Sequence, residues 1–361
     1  MKTTLEEVAT LAAASAPLVV RQLSPGDGIA QARWDAFAEA CPEATFFHRA
    51  GWQQILGEVF GHRTHFLYAE RAGVVEGILP LAQVKSLLFG NSLVSLPFAV
   101  YGGVAASNPA AVEVLELAAQ ETARRLGVDH LEMRNLRQRH PGWPTQDLYV
   151  SFRRGIAPEV EANLQAIPRK QRAMVRKGIK NGLRSEIDAD PGRFFALYAD
   201  NVHRHGTPAL PRRYFAALQR VFADDCEIMT VLDGSGHPLS SVLSFYFRDE
   251  VLPYYAGDAW SARELAANDF KYWELMRRSC ERGLKVFDYG RSKQGTGSYA
   301  FKKNWGFEPQ PLFYEYCLYR RDAIPQNNPS NARYRLLINT WRRLPIGFAN
   351  WLGPFIVRNL G

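Results

Sequence analysis

Apolar and polar positions alternate, or β-branched residues run together, over Leu18–Leu23, His65–Arg71, Val74–Val84, Leu93–Leu96, His130–Arg134 and Asp147–Phe152. A period of two marks a strand with one face in a core. Apolar positions three and four residues apart predict helices over Ile29–Ala40, Ala50–Phe60 and Ala110–Leu126. A second series follows, with strands over Leu183–Ile187, Glu227–Leu232, Leu239–Phe247, Glu250–Tyr255, Val286–Tyr289 and Leu312–Tyr319. Its helices are Glu159–Ala166, Arg169–Asn181, Arg193–His203, Arg212–Phe222 and Ala262–Arg282.

The two series resemble each other. In each, a strand pair with a glycine turn leads to a tyrosine, then to a helix that ends on glycine, then to a strand. The tyrosine-to-glycine offset is 26 residues for Tyr101 to Gly127 and 28 for Tyr255 to Gly283. This predicts a duplicated α/β unit. Meander strands followed by a helix and one more strand imply a mixed sheet, α+β in character, rather than a doubly wound one. The copies differ after Arg291, where the second inserts Ser292–Phe307 and the first has only Arg137–Pro144. Chemistry confined to one copy is expected on that insert.

Composition places the chain among ordinary globular proteins, with 361 residues, 47% hydrophobic and 22% charged. That length fits two domains. Cys41, Cys226, Cys280 and Cys317 are far apart, so four reduced, mostly buried thiols are expected rather than a zinc site or disulfide scaffold. Residues 1–16 lack the basic start and greasy run of a signal peptide, and no stretch has the apolar length of a membrane span. The chain reads as cytoplasmic.

Charge changes the picture more. The net charge is +8, yet two segments free of acids carry twelve cations, so the remainder is acidic. Arg169, Lys170, Arg172, Arg176, Lys177, Lys180 and Arg184 form the first segment. Arg169, Arg172, Arg176 and Lys180 share one helical face, with Pro168 as a start signal and Gly182 as a stop. The face is either solvated or a grip for phosphates. The second segment, after Asn331, mixes five arginines with Trp341, Phe348, Trp351 and Phe355. It suits a membrane interface or a strap on the protein's own surface.

Gly290, Gly295 and Gly297 do not make a phosphate loop, because Thr296 stands where that pattern needs lysine. The glycines can still present N–H groups before a helix start. Phe301-Lys302-Lys303 follows in the first turns after them, where a lysine can stabilise an oxyanion in acyl transfer. The alternative is a surface lysine. Asp288 and Arg291 end the strand beside it, as site groups or as a structural pair. His203 and His205, two apart, are a weak metal signal, and substrate positioning or a helix end at Gly206 fits them better. No metal site is expected. Neither a Gly-x-Ser-x-Gly elbow nor a dinucleotide fingerprint appears.

Taken together, Phe46–Trp52, Pro168–Lys177, His205-Gly-Thr-Pro208, Phe287–Ser292 and Tyr299–Gly306 resemble the FemAB-like transferases. Those carry two GNAT-type (acetyltransferase-like) domains in tandem. With the C-terminal tail, the chain is most similar to the subgroup associated with exosortase/PEP-CTERM systems and exopolysaccharide clusters. The resemblance implies an N-terminal extension at 1–17, GNAT-like domains at 18–155 and 156–322, and a basic tail at 323–361. It implies acyl transfer to an amine or hydroxyl of a cell-envelope or exopolysaccharide precursor. A Phe-Lys pair at the reaction centre of such enzymes matches Phe301 and Lys302, with Asp288 beside them. Arg291, Ser292, Tyr299, His205, Thr207, Arg169, Arg172, Arg176 and Lys177 would hold substrates. Long-known members place a lysine one turn after the tryptophan of the early helix, where Gln53–Leu56 stand here. An acetyl-CoA signature is also missing after Tyr255–Trp260. The donor therefore stays open between aminoacyl-tRNA and acyl-CoA, as does a non-catalytic module that tethers precursors or RNA. The inner membrane is a further candidate partner, through the tail.

Overall fold

The computed structural model describes residues 16–86, 90–324 and 332–359, with 332–336 as backbone only. Residues 1–15 of the expected N-terminal extension lie outside the described residues. The described residues form two compact units, one running to Gln146 and including Leu312–Ile324, the other Asp147–Pro311 with the C-terminal segment.

The first unit contains β1 (Val19–Gln22), α1 (Gly28–Ala40), α2 (Gly51–Ile55), β2 (Arg63–Thr64), β3 (Leu67–Arg71), β4 (Val74–Leu79) and β5 (Leu81–Ser86). Then come β6 (Gly90–Ser95), β7 (Ala105–Ala106), α3 (Pro109–Leu126), β8 (His130–Asn135) and β9 (Thr145–Gln146). The caps are local. Asp27 accepts the Ala30 N–H at 3.0 Å, and Asn108 accepts that of Ala111 at 3.0 Å with Pro109 following. The expected single strand Val74–Val84 is two. Pro80 lacks the N–H that would continue the ladder, so β4 joins one sheet and β5 another.

The second unit contains β10 (Tyr149–Gly155), α4 (Val160–Ala166), α5 (Arg169–Lys180), β11 (Arg184–Asp188), α6 (Gly192–Arg204), α7 (Arg212–Phe222) and β12 (Cys226–Leu232). It continues with β13 (Pro238–Phe247), β14 (Glu250–Asp258), α8 (Ala267–Glu281), β15 (Val286–Lys293), α9 (Gly297–Asn304) and β16 (Gln310–Pro311). The chain then returns to the first unit for β17 (Phe313–Leu318) and ends in α10 (Ala332–Arg343) and α11 (Ile346–Val357) of the second. The second sheet, ordered β11-β12-β13-β14-β15-β10-β16, is mixed, with β14 and β15 its parallel pair. Its core gathers Phe152, Val175, Val242, Trp273, Phe287 and Trp305.

The duplication is plain in three dimensions. β6–α3–β8 and β14–α8–β15 are each a parallel strand pair joined by a helix. The helix expected from Ala262 starts instead at Ala267, because Ala266 takes a left-handed conformation and breaks the first turn away. The compact units also differ from a contiguous cut after residue 155. β10 pairs with β15 and belongs to the second unit, while β17 pairs with β8 and belongs to the first. A strand joins the sheet whose edge satisfies its N–H and C=O groups, whatever its place along the chain.

Candidate active site

β14 and β15 pair only at their starts, Glu250 with Val286 and Val251 with Phe287. Beyond that each strand bonds its outer neighbour, β13 or β10, and the two inner edges part. β14 bulges there, with Tyr254 as an extra residue opposite the Leu243/Ser244 step. Strand edges that have parted offer N–H and C=O groups to the amides and esters of a ligand.

β15 bulges as well. Arg291 faces Ser151 and Asp288 faces Arg153, so Tyr289 and Gly290 together oppose Phe152. Gly290 has φ +63°, a conformation that favours glycine. Two charged groups hold this bulge. The buried Asp288 carboxylate accepts the Gly290 N–H at 2.7 Å and the Ser151 hydroxyl at 3.4 Å. Lys302, 8% exposed, donates from Nζ to the carbonyls of Tyr289 at 2.7 Å, Gly290 at 3.1 Å and Arg291 at 3.2 Å. The amine also lies 5.5 Å from the Phe152 ring centroid and 5.9 Å from that of Tyr289. Burial lowers its pKa to about 7, against an upward pull from Asp288 and a further downward push from Arg291.

Lys302 is thus neither a surface lysine nor near a helix start. It sits in the last turn of α9, whose N-terminus is capped by the Thr296 hydroxyl. As an ammonium it has all three protons on carbonyls. Phe301 joins an aromatic cluster, with Tyr272 at 5.4 Å and Trp305 at 5.8 Å. Arg291 stacks over Tyr149 at 4.5 Å, and Tyr299 meets Phe152 edge-on at 5.5 Å. Ser292 is buried, and its hydroxyl has no hydrogen-bond partner among the described residues.

Sequence reasoning missed three groups that frame this end of the sheet. Trp305 Nε1 donates to Asp269 at 2.9 Å, tying the end of α9 to the first turn of α8. Burial raises the pKa of the Asp269 carboxyl. Lys271 is fully buried, pairs with Asp258 at 2.9 Å and lies over Tyr272. The Tyr289 hydroxyl is buried with no partner among the described residues, and burial drives its pKa well up. The signal for Asp269 and Lys271 was present: two charges inside the stretch from Ala267 to Met276 that supplies core residues.

The basic helix α5 packs Val175 and Gly178 inward, with Gly178 close to Phe270 of α8. Arg169, Lys170, Arg176, Lys177 and Lys180 are exposed. Arg172 is half-buried and donates to the Gln165 carbonyl at 3.2 Å. A side chain at Gly306, just after α9, would stand 3.3 Å from Pro168, so the basic helix begins against the turn that follows Lys302's helix. His205 and Thr207 lie elsewhere. They close the end of α6, where the Thr207 N–H reaches Val202 at 2.9 Å and the His205 carbonyl accepts Arg342 at 3.4 Å.

Residues 169–303 match the acetyltransferase (GNAT) domain family. The second unit carries a GNAT-type acyltransferase domain. No curated protein matches the chain. Among solved structures, FemX is 15% identical, with TM-score 0.64 over 82% of this chain and 97% of its own. The C-terminal DUF2156 domain of a protein described as a lysylphosphatidylglycerol synthetase from Agrobacterium fabrum is 13% identical, with TM-score 0.56 over 79% of this chain and 91% of its own. A tandem GNAT protein from the clavulanic acid biosynthesis pathway is 13% identical, with TM-score 0.51 over 83% of this chain and 98% of its own. These likenesses are of fold, and they agree with the tandem, mixed-sheet architecture expected from the sequence. In the GNAT domain the parted strands β14 and β15, the bulge and Lys302 occupy one end of the sheet. No group of three or more His, Cys, Asp or Glu side chains is placed to hold a metal among the described residues. No described helix is long and apolar enough to cross a membrane. Cys41, Cys226 and Cys280 are buried free thiols, and Cys317 is a half-buried one.

Proposed function

We propose that the protein moves an aminoacyl group from aminoacyl-tRNA to an amine or hydroxyl of a cell-envelope or exopolysaccharide precursor, on the cytoplasmic side. One arrangement carries the choice of donor. Packed on α8, the helix that joins the parted strands, lies α5, whose Arg169, Lys170, Arg176, Lys177 and Lys180 have no carboxylate partner among the described residues. The helix that follows β14, α8, carries Asp269 in its first turn. A helix start ordinarily attracts phosphate, but an acid there already answers the dipole and repels a coenzyme A pyrophosphate. A polyanionic donor held along α5 fits this charge pattern better.

In this reading the aminoacyl ester lies between β14 and β15. The acceptor attacks the ester carbonyl, and the bond to the tRNA ribose oxygen breaks. The proton lost by the acceptor ends on that oxygen. The ammonium of Lys302 moves its longest bond, to the Arg291 carbonyl at 3.2 Å, onto the oxyanion as charge develops there. Asp288 and Gly290 keep the bulge shaped while this happens. Arg291, Ser292 and Tyr299 line the acceptor side, and Arg169, Arg172, Arg176 and Lys177 hold donor phosphates. The acceptor class rests on the likeness of Pro168–Lys177, Phe287–Ser292 and Tyr299–Gly306 to the exosortase-associated FemAB-like subgroup. One neighbour in fold is named for lysylphosphatidylglycerol, an amino acid carried on an envelope lipid.

The GNAT match favours a second reading, acyl-CoA as donor to the same acceptors. The committed protons of Lys302 favour a third, a tandem domain that binds anionic precursors without turnover. Purified protein incubated with membrane and polysaccharide extract, and either labelled aminoacyl-tRNA or labelled acetyl-CoA, separates all three. Label leaving tRNA supports the proposal. Label leaving only acetyl-CoA overturns it in favour of the second reading, and salt-sensitive binding without transfer overturns it in favour of the third.

A further inference from the structure

The C-terminal helix α11 has two faces with different surroundings. On one, Ala349 and Gly353 are buried. A Cβ at Gly353 would stand 3.1 Å from the Ala209 carbonyl, so the helix backbone lies directly on the segment after α6. On α10, Ile338 and Arg342 close over Gly206 in the same region. The tail is therefore a strap, one of the two readings its sequence allowed.

The other face of α11 is covered by nothing among the described residues. Phe348, Trp351 and Phe355 are 47%, 63% and 57% exposed. Spaced by three and four residues, they share one arc of the helix. Their rings form an unbroken row, with centroids 5.6 Å and 5.9 Å apart. Leu337 on α10 adds a further exposed apolar side chain. Contiguous apolar surface of this kind marks a place of interaction.

Charge selects the occupant. Residues 331–361 hold five arginines and no acid. Arg343 and Arg358, both exposed, bracket the aromatic row along the chain. A partner that matches is apolar within and anionic at its boundary. The helix has 12 residues, too short to span a bilayer, so it can only lie in the interface. We propose that α11 docks the protein on an anionic lipid surface, with Phe348, Trp351 and Phe355 in the boundary between headgroups and acyl chains and Arg343 and Arg358 on lipid phosphates. This docking goes beyond the acyl-transfer reading and does not depend on it.

Flotation of the full chain with vesicles tests it. The protein should rise with vesicles of phosphatidylcholine and phosphatidylglycerol, and far less with phosphatidylcholine alone. Phe348→Ser/Trp351→Ser/Phe355→Ser should weaken binding about tenfold or more. These side chains point outward, and an unchanged near-UV circular dichroism spectrum will verify the variant's fold. Arg343→Gln/Arg358→Gln should erase the preference for the anionic vesicles. Brominated lipid should quench tryptophan emission of the native chain more than that of Trp351→Phe. A protein that stays at the bottom of both gradients overturns the proposal, as does a triple variant that floats like the native chain. A native dimer that the triple variant loses, without capture by either vesicle, would reassign the row to contact between copies.

Discussion

Each unit sets a buried cation beside the strand that follows its joining helix, β8 or β15, and that cation takes backbone carbonyls, but the two cations differ in kind. In the first unit Arg134, at the end of β8, donates to the carbonyls of Leu96 at 3.2 Å and Ala99 at 2.6 Å. It is also paired with Glu132 at 2.8 Å and lies over the Tyr314 ring. A guanidinium locked to a carboxylate is a fixed part, with no proton to exchange near neutrality. In the second unit the cation is Lys302, which comes from a separate helix and has a pKa of about 7. The nearby Asp288 carboxylate is occupied with the Gly290 N–H. The duplicated scaffold therefore holds one sealed copy and one copy whose lock can titrate, and the proposed chemistry rests on the second.

The comparison can be broken most forcibly from the sealed side. Arg134→Leu strands the Glu132 carboxylate and two carbonyls, and should destabilise the first unit by about 3–5 kcal/mol in urea denaturation. A loss under about 1 kcal/mol would mean that the two sites are not opposites. Lys302→Met comes next. It should lower kcat by about 10²–10³ and stability by about 1–3 kcal/mol, since three carbonyls lose their donor. Because the same substitution costs both, kcat must be compared with the folded fraction. A rate loss no larger than the loss of folded protein would reduce Lys302 to a structural clamp.

A pH series sharpens the difference. If the ammonium form acts, kcat should fall as pH rises through about 7. Asp288→Asn removes the charge that holds the lysine pKa up, so this fall should move to lower pH. The stability sign is opposite to that of an ordinary salt-bridged lysine. Between about 7 and the ordinary lysine value of 10.5 the unfolded chain keeps a proton that the folded chain has lost. Stability therefore rises with pH across that window and is flat on either side. Lys302→Met should abolish the slope, and a slope that survives would point to another group. The smallest expected effect on folding is at α5. Lys170→Ser/Arg176→Ser/Lys177→Ser should change stability by no more than about 0.5 kcal/mol. It should also raise KM for aminoacyl-tRNA and flatten the salt dependence of binding by about two to three cations' worth. An unchanged salt slope would leave α5 as a solvated face.

Much of the local structure was legible. Helix Arg212–Phe222 and the start of α5 after Pro168 stand where periodicity and proline put them. The insert after Arg291 was singled out by comparing copies, and Lys302 lies within it. What stayed hidden were relations across distance. Nothing in Phe301-Lys302-Lys303 tells which side chain turns inward, because the last turn of a short helix is oriented by what it meets. The partners of Lys271 and Asp269 were hidden too, since a buried ion pair and an indole partner are made only when β14 and α9 arrive. Placing β10 and β17 required knowing which edge each would join.

The sequence by itself determined the two α/β units, the strands and helices within them, the mixed sheets and the two basic segments. Those follow from side-chain periodicity and turn residues, which act over a few positions. Tertiary structure alone decided that Lys302 is buried with three carbonyls, that Arg134 is its sealed counterpart, and that α11 is a strap on one face and a bare aromatic row on the other. Burial and proton affinity depend on atoms brought from far along the chain, and no local pattern encodes them.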